Sequence, residues 1–115
     1  KKLFLKKKKY YIQIVMSKKN KQLALEIISD TFDRVNNEFE DLEADLIDGV
    51  LTIQDLDNKT YVISFHEPTS QIWYSSPLSG AHHFELKFLN NRAIFKDTRE
   101  SNLNFPDFFF NEVKN

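Results

Sequence analysis

Acidic side chains are concentrated between residues 26 and 57, which hold eleven Asp and Glu residues and a single base, Arg34. Because a helix turns about 100° per residue, the acids of a predicted helix over residues 20–39 fall on one face, and strand acids follow soon after. Carboxylate oxygens are hard ligands that suit iron, calcium, magnesium and manganese. The pattern indicates an open metal site, a surface for a basic partner, or simply a solvated acidic face. The candidate metal ligands are Glu26, Asp30, Asp33, Glu40, Glu43 and Asp45.

A second candidate site is the predicted strand Gln71–Ser75, which contains Trp73, the one tryptophan of the chain. Side chains alternate along a strand, so Ile72 and Tyr74 share one face while Gln71, Trp73 and Ser75 share the other. The apolar pair suits a core, which leaves Trp73 on the opposite face. There it either anchors a binding partner or covers an edge of the core.

Residues that are missing or rare exclude several kinds of chemistry. The chain has no cysteine, which excludes disulfides, thiolate-bound clusters and a thiol nucleophile. Its only two glycines provide no phosphate loop and no nucleophile elbow. His82 and His83 are neighbours on a predicted strand and therefore point to opposite faces. A Ser–His–Asp triad can be composed from the residues present, but no motif supports it.

The hydrophobic periodicity predicts helices at the two ends of the folded region. Ile28, Phe32, Val35 and Phe39 recur at helical spacing and give the helix over residues 20–39 an apolar stripe. Near the carboxyl end, Asn104 is the predicted cap of a second helix with Pro106 in its first turn. The apolar face of that helix would comprise Phe105, Phe108, Phe109 and Val113.

Between these helices the sequence predicts about five strands joined by short connections. They are Glu43–Ile53, bent or bulged at Gly49, and then Thr60–Phe65, Gln71–Ser75, His82–Phe88 and Arg92–Lys96. Short connections favour antiparallel pairing. We therefore predict an α+β fold, a two-layer sandwich in which both helices cover one face of an antiparallel sheet.

Residues 1–19 form a predicted basic extension, separate from a domain over residues 20–115. Residues 1–25 contain nine lysines and no acid. The extension is interpreted as an organelle-targeting segment, as sequence upstream of a start at Met16, or as a tail for nucleic acid or a membrane surface. No apolar run approaches the roughly 20 residues of a membrane span.

The segment around Trp73 resembles the frataxin family, whose motif has the form N-K-Q-x-P-x-x-Q-I-W-L-S-S-P-x-S-G. This sequence carries Gln71-Ile72-Trp73, then Tyr74, then Ser75-Ser76-Pro77 and Ser79-Gly80, without a gap. Upstream, Gly49–Ile53 and Tyr61–Ile63 also resemble strands of the family. The N-K-Q part is replaced by Ser64-Phe65-His66, which removes an amide and a cation expected at the partner surface.

The resemblance implies an iron-binding protein that supports iron–sulfur cluster assembly, as iron donor or as regulator of a cysteine desulfurase–scaffold complex. It implies weakly bound ferrous or ferric iron on the acidic residues, and the alternative activity of a ferroxidase. Frataxins engage the assembly complex through the Gln and Trp of the motif, so the implied partner-binding residues are Gln71, Trp73, Ser64 and Ser75.

The same resemblance sets the expected cellular context. We expect a monomer that binds neither nucleic acid nor membrane. In a eukaryote it would lie in the mitochondrial matrix or a related organelle, and in a bacterium in the cytoplasm.

Overall fold

A long helix is followed by an antiparallel sheet and a short closing helix. The computed structural model describes residues 2–114, with side chains from residue 5 to residue 114. The elements are α1 (Lys2–Glu38), β1 (Glu43–Ile47), β2 (Val50–Gln54), β3 (Thr60–His66), a 3-10 turn (Glu67–Thr69), β4 (Gln71–Ser76), β5 (Gly80–Leu89), β6 (Arg92–Asp97), β7 (Asn104–Phe105) and α2 (Asp107–Lys114). The strands are hydrogen-bonded in chain order, β1 through β7, and every pair is antiparallel. Each strand therefore lies beside its neighbour in sequence.

Both helices contribute to a core on one face of this sheet, which confirms the predicted two-layer α+β sandwich. The predicted apolar stripe of α1 faces the core, since Ile28 and Val35 are buried and Phe32 and Phe39 pack against the core. From the sheet come alternate residues of each strand, and from α2 Phe109 and Phe110. Within residues 2–114, the other face of the sheet carries no helix. The buried apolar residues of the sheet are Leu51, Ile53, Tyr61, Ile63, Ile72, Tyr74, Phe84, Phe95 and Phe105.

Helix α1 begins far earlier than the predicted start at residue 20. It runs for 37 residues from Lys2. The first buried residue is Ala24, and between residues 5 and 19 only Val15 is even half-buried. The amino-terminal half is thus helical without contributing to the core. The helix was missed because the lysines and apolar residues there follow no helical period.

The predicted single bent strand Glu43–Ile53 is wrong, because these residues form the hairpin of β1 and β2. Ile47 pairs with Val50 across a two-residue turn. Both turn residues have positive φ, 51° at Asp48 and 78° at Gly49. Asp-Gly suits a type I′ turn, whose twist matches that of the flanking strands. This hairpin, together with the short β7, makes the sheet seven-stranded instead of about five-stranded.

The predicted amino-terminal cap at Asn104 is also wrong. Asn104 and Phe105 form β7, in which Asn104 pairs with Lys96 and Phe105 with Phe95. Pro106 then precedes α2 and does not lie in its first turn. The Lys96 ammonium donates a 3.3 Å hydrogen bond to the Asn104 side-chain carbonyl. Pairing with β6 thus outweighs the local capping preference of Asn.

No helix among residues 2–114 has the length and apolar character needed to cross a membrane.

Candidate functional site

Trp73 lies on the face of the sheet that the helices leave open. Its neighbours Ile72 and Tyr74 are buried in the core, as the alternation predicted. In the ladder Trp73 is opposite Ser64 of β3 on one side and His83 of β5 on the other. The indole is half-buried. This tryptophan therefore lies near the middle of the open face and remains partly accessible.

Two histidines enclose the indole of Trp73. The ring of His66, at the end of β3, is 3.6 Å from the indole, centroid to centroid, with an angle of 11° between the planes. The ring of His83 lies on the other side at 4.4 Å and 9°. The three rings are almost parallel, and each comes from a different strand. The stack fixes the indole in one orientation.

Gln71 holds the same indole by its polar edge. The Trp73 Nε1–H group donates a 2.9 Å hydrogen bond to the Gln71 side-chain carbonyl. The two residues are two apart in β4, so their side chains are neighbours on one face. The indole donor is therefore satisfied before any partner binds. Gln71 thus helps to orient the Trp73 indole.

Ser64 and Ser75 lie beside Trp73 with small side chains. Ser64 is its direct neighbour on β3, and Ser75 follows it by two positions on β4. A small cleft of about 160 Å³ includes Ser64, Trp73, Ser75 and His83 in its lining. All four predicted partner-binding residues, Gln71, Trp73, Ser64 and Ser75, thus share the open face. We call the patch formed by these four residues with His66 and His83 the docking face, after the role proposed for it below.

The helical acids Glu26, Asp30 and Asp33 are exposed along α1, on the side away from the core. Among the described residues, none of the three forms an ion pair. The Gln22 amide donates a 3.3 Å hydrogen bond to Glu26. The one base of this region, Arg34, pairs with Glu38 at 3.0 Å and lies 3.9 Å above the Phe110 ring. The negative charge of this row is therefore left uncompensated.

The strand acids Glu43 and Asp45 lie on the other side of the sheet from α1. They alternate with Ala44 and Leu46, which pack against the core, so the two carboxylates point to the open face. Because β1 is an edge strand, the two groups of acids approach each other only around that edge. A cleft there is lined by Asn36 together with Glu43 and Asp45.

The acids do not converge on one point. Within residues 2–114, no three Asp, Glu, His or Cys side chains lie close enough together to hold a metal ion. Glu43 and Asp45 are about 7 Å apart along β1 by strand geometry. Exposed carboxylates at such spacing suit hydrated cations held by one or two ligands each. We call Glu26, Asp30, Asp33, Glu40, Glu43 and Asp45 the acidic surface.

His82 lies on the helix-covered face, opposite to His83, as the alternation predicted. Its Nε2 atom is 2.8 Å from Ser79 Oγ and its Nδ1 atom is 3.1 Å from Asp97 Oδ2. The arrangement has the connectivity of a Ser–His–Asp triad. However, the backbone N–H of Ser79, which would be needed for an oxyanion hole, donates to Ser76 Oγ. We therefore interpret Ser79, His82 and Asp97 as a hydrogen-bonded group that stabilises the β4–β5 turn.

Sequence reasoning missed His66 and His83 as parts of the docking face. From the sequence, His66 only follows the predicted strand Thr60–Phe65, and His83 is only known to face away from His82. The available signal was the strand register, since antiparallel pairing places each histidine beside Trp73 once the turns are known. The sequence alone left that register open.

A family model described as a frataxin-like domain matches residues 8–114 of the chain. Among curated proteins, the frataxin homolog, mitochondrial, of Schizosaccharomyces pombe is 38% identical over a match covering 51% of this chain and 43% of that protein. The mitochondrial frataxin of Dictyostelium discoideum is 43% identical, over 61% of this chain and 34% of its own length. This chain thus spans less than half the length of either relative.

A bacterial relative is named for its role in iron-sulfur cluster assembly. The iron-sulfur cluster assembly protein CyaY of Thioalkalivibrio sulfidiphilus is 45% identical over 36% of this chain and 39% of that protein. Among solved structures, frataxin from Psychromonas ingrahamii superposes with a TM-score of 0.70 at 20% identity, covering 84% of this chain and 87% of that one. The structural likeness shows the shared fold.

Proposed function

Since the chain belongs to the frataxin family, we propose that it supports iron–sulfur cluster assembly by docking on a cysteine desulfurase–scaffold complex. The observation that carries the proposal is the placement of Trp73 on the open face, half-buried and fixed by Gln71 at 2.9 Å. A large, rigid aromatic group with little conformational freedom left to lose is a favourable interface anchor. Ser64 and Ser75 leave room beside the indole for a partner side chain.

The acidic surface would hold iron as cargo or meet a basic surface of the partner. Its carboxylates are exposed, hard oxygen donors, and the row on α1 lacks compensating bases among the described residues. Weak binding at several points follows from their spacing, because no point offers a full ligand set. Iron would bind to the acidic surface while the docking face holds the protein against the assembly complex.

The cellular compartment that we propose depends on whether the chain comes from a eukaryote or from a bacterium. Relatives from Schizosaccharomyces pombe and Dictyostelium discoideum are named as mitochondrial. We propose a mitochondrial or mitochondrion-related location in a eukaryotic source and a cytoplasmic one in a bacterial source.

The deciding experiment is a binding measurement with the purified desulfurase–scaffold complex of the source organism. Wild type should bind, and Trp73→Ala should weaken binding by about 2 kcal/mol or more. Phe88→Ala is a matched control, since Phe88 is 61% exposed and its place in β5 puts it on the opposite face. Equal binding by wild type and Trp73→Ala would refute the docking role.

Iron handling needs a separate measurement. Anaerobic titration with ferrous iron should perturb NMR signals of Glu26, Asp30, Asp33, Glu43 and Asp45 and leave those of the Trp73 strand largely unchanged. Oxygen consumed per iron added then distinguishes simple binding from ferroxidase activity, because both would use the same carboxylates. Shifts centred on His66, His82 or His83 would contradict the assignment.

A further inference from the structure

The docking face contains two titratable rings in direct contact with its anchor. His66 and His83 stack on opposite faces of the Trp73 indole, at centroid distances of 3.6 and 4.4 Å. Histidine is the side chain that serves as a switch of charge within the range of pH that cells use. A cation over the face of an indole is attracted by the ring quadrupole, and Trp is the best such partner. The charge on either side of the Trp73 indole therefore depends on the protonation of both histidines.

Most of the ring nitrogens of His66 and His83 have no hydrogen-bond partner within residues 2–114. Nδ1 of His66 lies 2.8 Å from Thr69 Oγ1. For Nε2 of His66 and both nitrogens of His83, no hydrogen-bond partner is present in the described part of the chain. Because that part also holds no buried side-chain nitrogen or oxygen without a partner, these atoms are accessible to solvent or to a binding protein.

The carboxylates near the two rings already have cationic partners. Glu67, directly after His66, is 3.3 Å from the Lys21 ammonium of α1. Glu85, two residues after His83 on the same face of β5, is 3.0 Å from Lys87 and opposite Lys96 of β6. The contacts from β4 are neutral, namely Gln71 and Trp73. A protonated His66 or His83 would thus add positive charge that the docking face itself does not neutralise.

We propose that His66 and His83 make docking through Trp73 dependent on pH, and that they favour a partner segment rich in Asp and Glu. This inference rests on the proposed docking role of Trp73. Protonated imidazoles on either side of the indole would donate to carboxylates of the partner, while the indole supplies the apolar contact. A partner segment rich in Lys and Arg would be repelled under the same conditions.

The direction of the effect follows from linkage. If the bound state favours protonated imidazoles, the affinity is higher at pH 6 than at pH 8. Carboxylates of the partner remain ionised over this range because their ordinary pKa lies near 4. Salt should weaken the effect, since the new attraction lies at an accessible surface.

The test compares wild type with His66→Gln/His83→Gln, a double variant that is uncharged at every pH. Gln is the residue that the frataxin motif carries at position 66, and circular dichroism would verify the fold of the variant. The probe is the purified desulfurase–scaffold complex, with its dissociation constant measured at pH 6 and pH 8. Since both proteins meet the same complex, the partner's own titration affects them equally.

The expected result is a dissociation constant at least about fivefold lower at pH 6 than at pH 8 for wild type, and less than about twofold lower for the double variant. Trp73 is the only tryptophan, so its fluorescence emission should also differ between pH 6 and pH 8 in wild type alone. Equal pH ratios in the two proteins, or tighter wild-type binding at pH 8, would overturn the inference.

The design separates this inference from the docking proposal itself. If Trp73→Ala binds as tightly as wild type at both pH values, the docking role fails and the inference fails with it. If Trp73→Ala loses binding while wild type and the double variant share one pH profile, docking stands and only the inference is lost.

Discussion

The Tyr74 hydroxyl donates a 2.5 Å hydrogen bond to a carboxylate oxygen of Glu112, joining the sheet to α2. Tyr74 is 1% exposed and follows Trp73 directly in β4. Burial, and then the hydrogen bond to Glu112, raises the pKa of the Tyr74 phenol far above its ordinary value of 10.0. The hydroxyl is therefore protonated at every physiological pH and always available as a donor. The helix that covers the core beneath the docking face is thus held to the same strand that presents Trp73.

Tyr74→Phe should destabilise the protein by about 1–3 kcal/mol, because it leaves the half-buried Glu112 carboxylate without its donor. Urea unfolding followed by circular dichroism measures this change. Tyr74→Phe/Glu112→Gln is the control, and it should recover part of the loss because the half-buried charge that lacks a donor is then removed. A loss of the same size in the double variant would show that the hydroxyl acts through packing alone.

Ionised Asp97 should stabilise the folded protein, and this stabilisation should be lost in acid. Burial alone would raise the pKa of Asp97, but hydrogen bonds from the backbone N–H groups of Arg99 and Glu100 and from His82 outweigh it, and the pKa lies below 3.8. A depressed carboxyl pKa stabilises the folded state above the unfolded pKa, near 3.9, and the stabilisation disappears as pH falls through the folded value.

Thermal unfolding from pH 7 to pH 2 tests this expectation. Wild type should be more stable than Asp97→Asn at pH 7, and the difference should shrink below about pH 4. Glu100→Gln, at an exposed position nearby, should follow the wild-type profile. A constant difference between wild type and Asp97→Asn at all pH values would show that the charge of Asp97 is irrelevant to stability.

The sequence was sufficient for those features that depend on one element alone. The stripe of Ile28, Phe32, Val35 and Phe39 and the two faces of β4 followed from periodicity, because burial of apolar residues selects one face of a helix or strand. For the same reason the sequence predicted which side of the sheet Trp73 occupies. The acidic row of α1 was also predictable, since it is the face opposite that stripe.

Features that depend on pairing between elements were not predictable. The core-facing alternation of Ala44 and Leu46 resumes in the opposite phase at Leu51 and Ile53. A bulge at Gly49 would change the phase in the same way as a hairpin, although Asp-Gly is a strong turn signal. The contacts of His66 and His83 with Trp73 depend on the register of three strands. The two-residue strand β7 is too short for any period to reveal it.

Gly49 should be required mainly for its backbone conformation, because an added Cβ atom would meet Leu25 only at about van der Waals distance. Its φ is +78°, and a Cβ atom there would lie 3.4 Å from Leu25 Cδ2. Gly49→Ala should destabilise the protein by about 1–2 kcal/mol through left-handed strain, with any crowding of Leu25 in addition. Gly80→Ala separates the two causes, because Gly80 has a φ of +89° and nothing within 4 Å of the added Cβ.

Urea unfolding of both alanine variants measures the comparison. Equal losses of stability in the two variants would show that backbone strain alone is responsible. A larger loss in Gly49→Ala would show that the contact with Leu25 of α1 contributes as well. A neutral Gly49→Ala would contradict the proposed role of the Asp48-Gly49 turn in fixing the β1–β2 hairpin.

The acidic surface should lower stability in the absence of cations and gain stability when cations bind. Residues 26–57 hold eleven acids and only one base. The acids repel one another, and such repulsion disfavours the compact state. Asp30→Asn/Asp33→Asn removes two exposed charges from the row on α1 and should therefore raise the melting temperature at low salt. Roughly 1 M salt should remove most of the gain, because the Debye length then falls to about 3 Å.

The same double variant tests iron binding, because binding to the folded state raises stability. Under anaerobic conditions, ferrous iron should raise the melting temperature of wild type by more than that of the variant. Glu100→Gln again serves as a control for the loss of an acid outside the acidic surface. If Asp30→Asn/Asp33→Asn is less stable than wild type and gains as much from iron, these acids are structural. The docking face around Trp73 would be unaffected by that result, since it shares no residue with the row on α1.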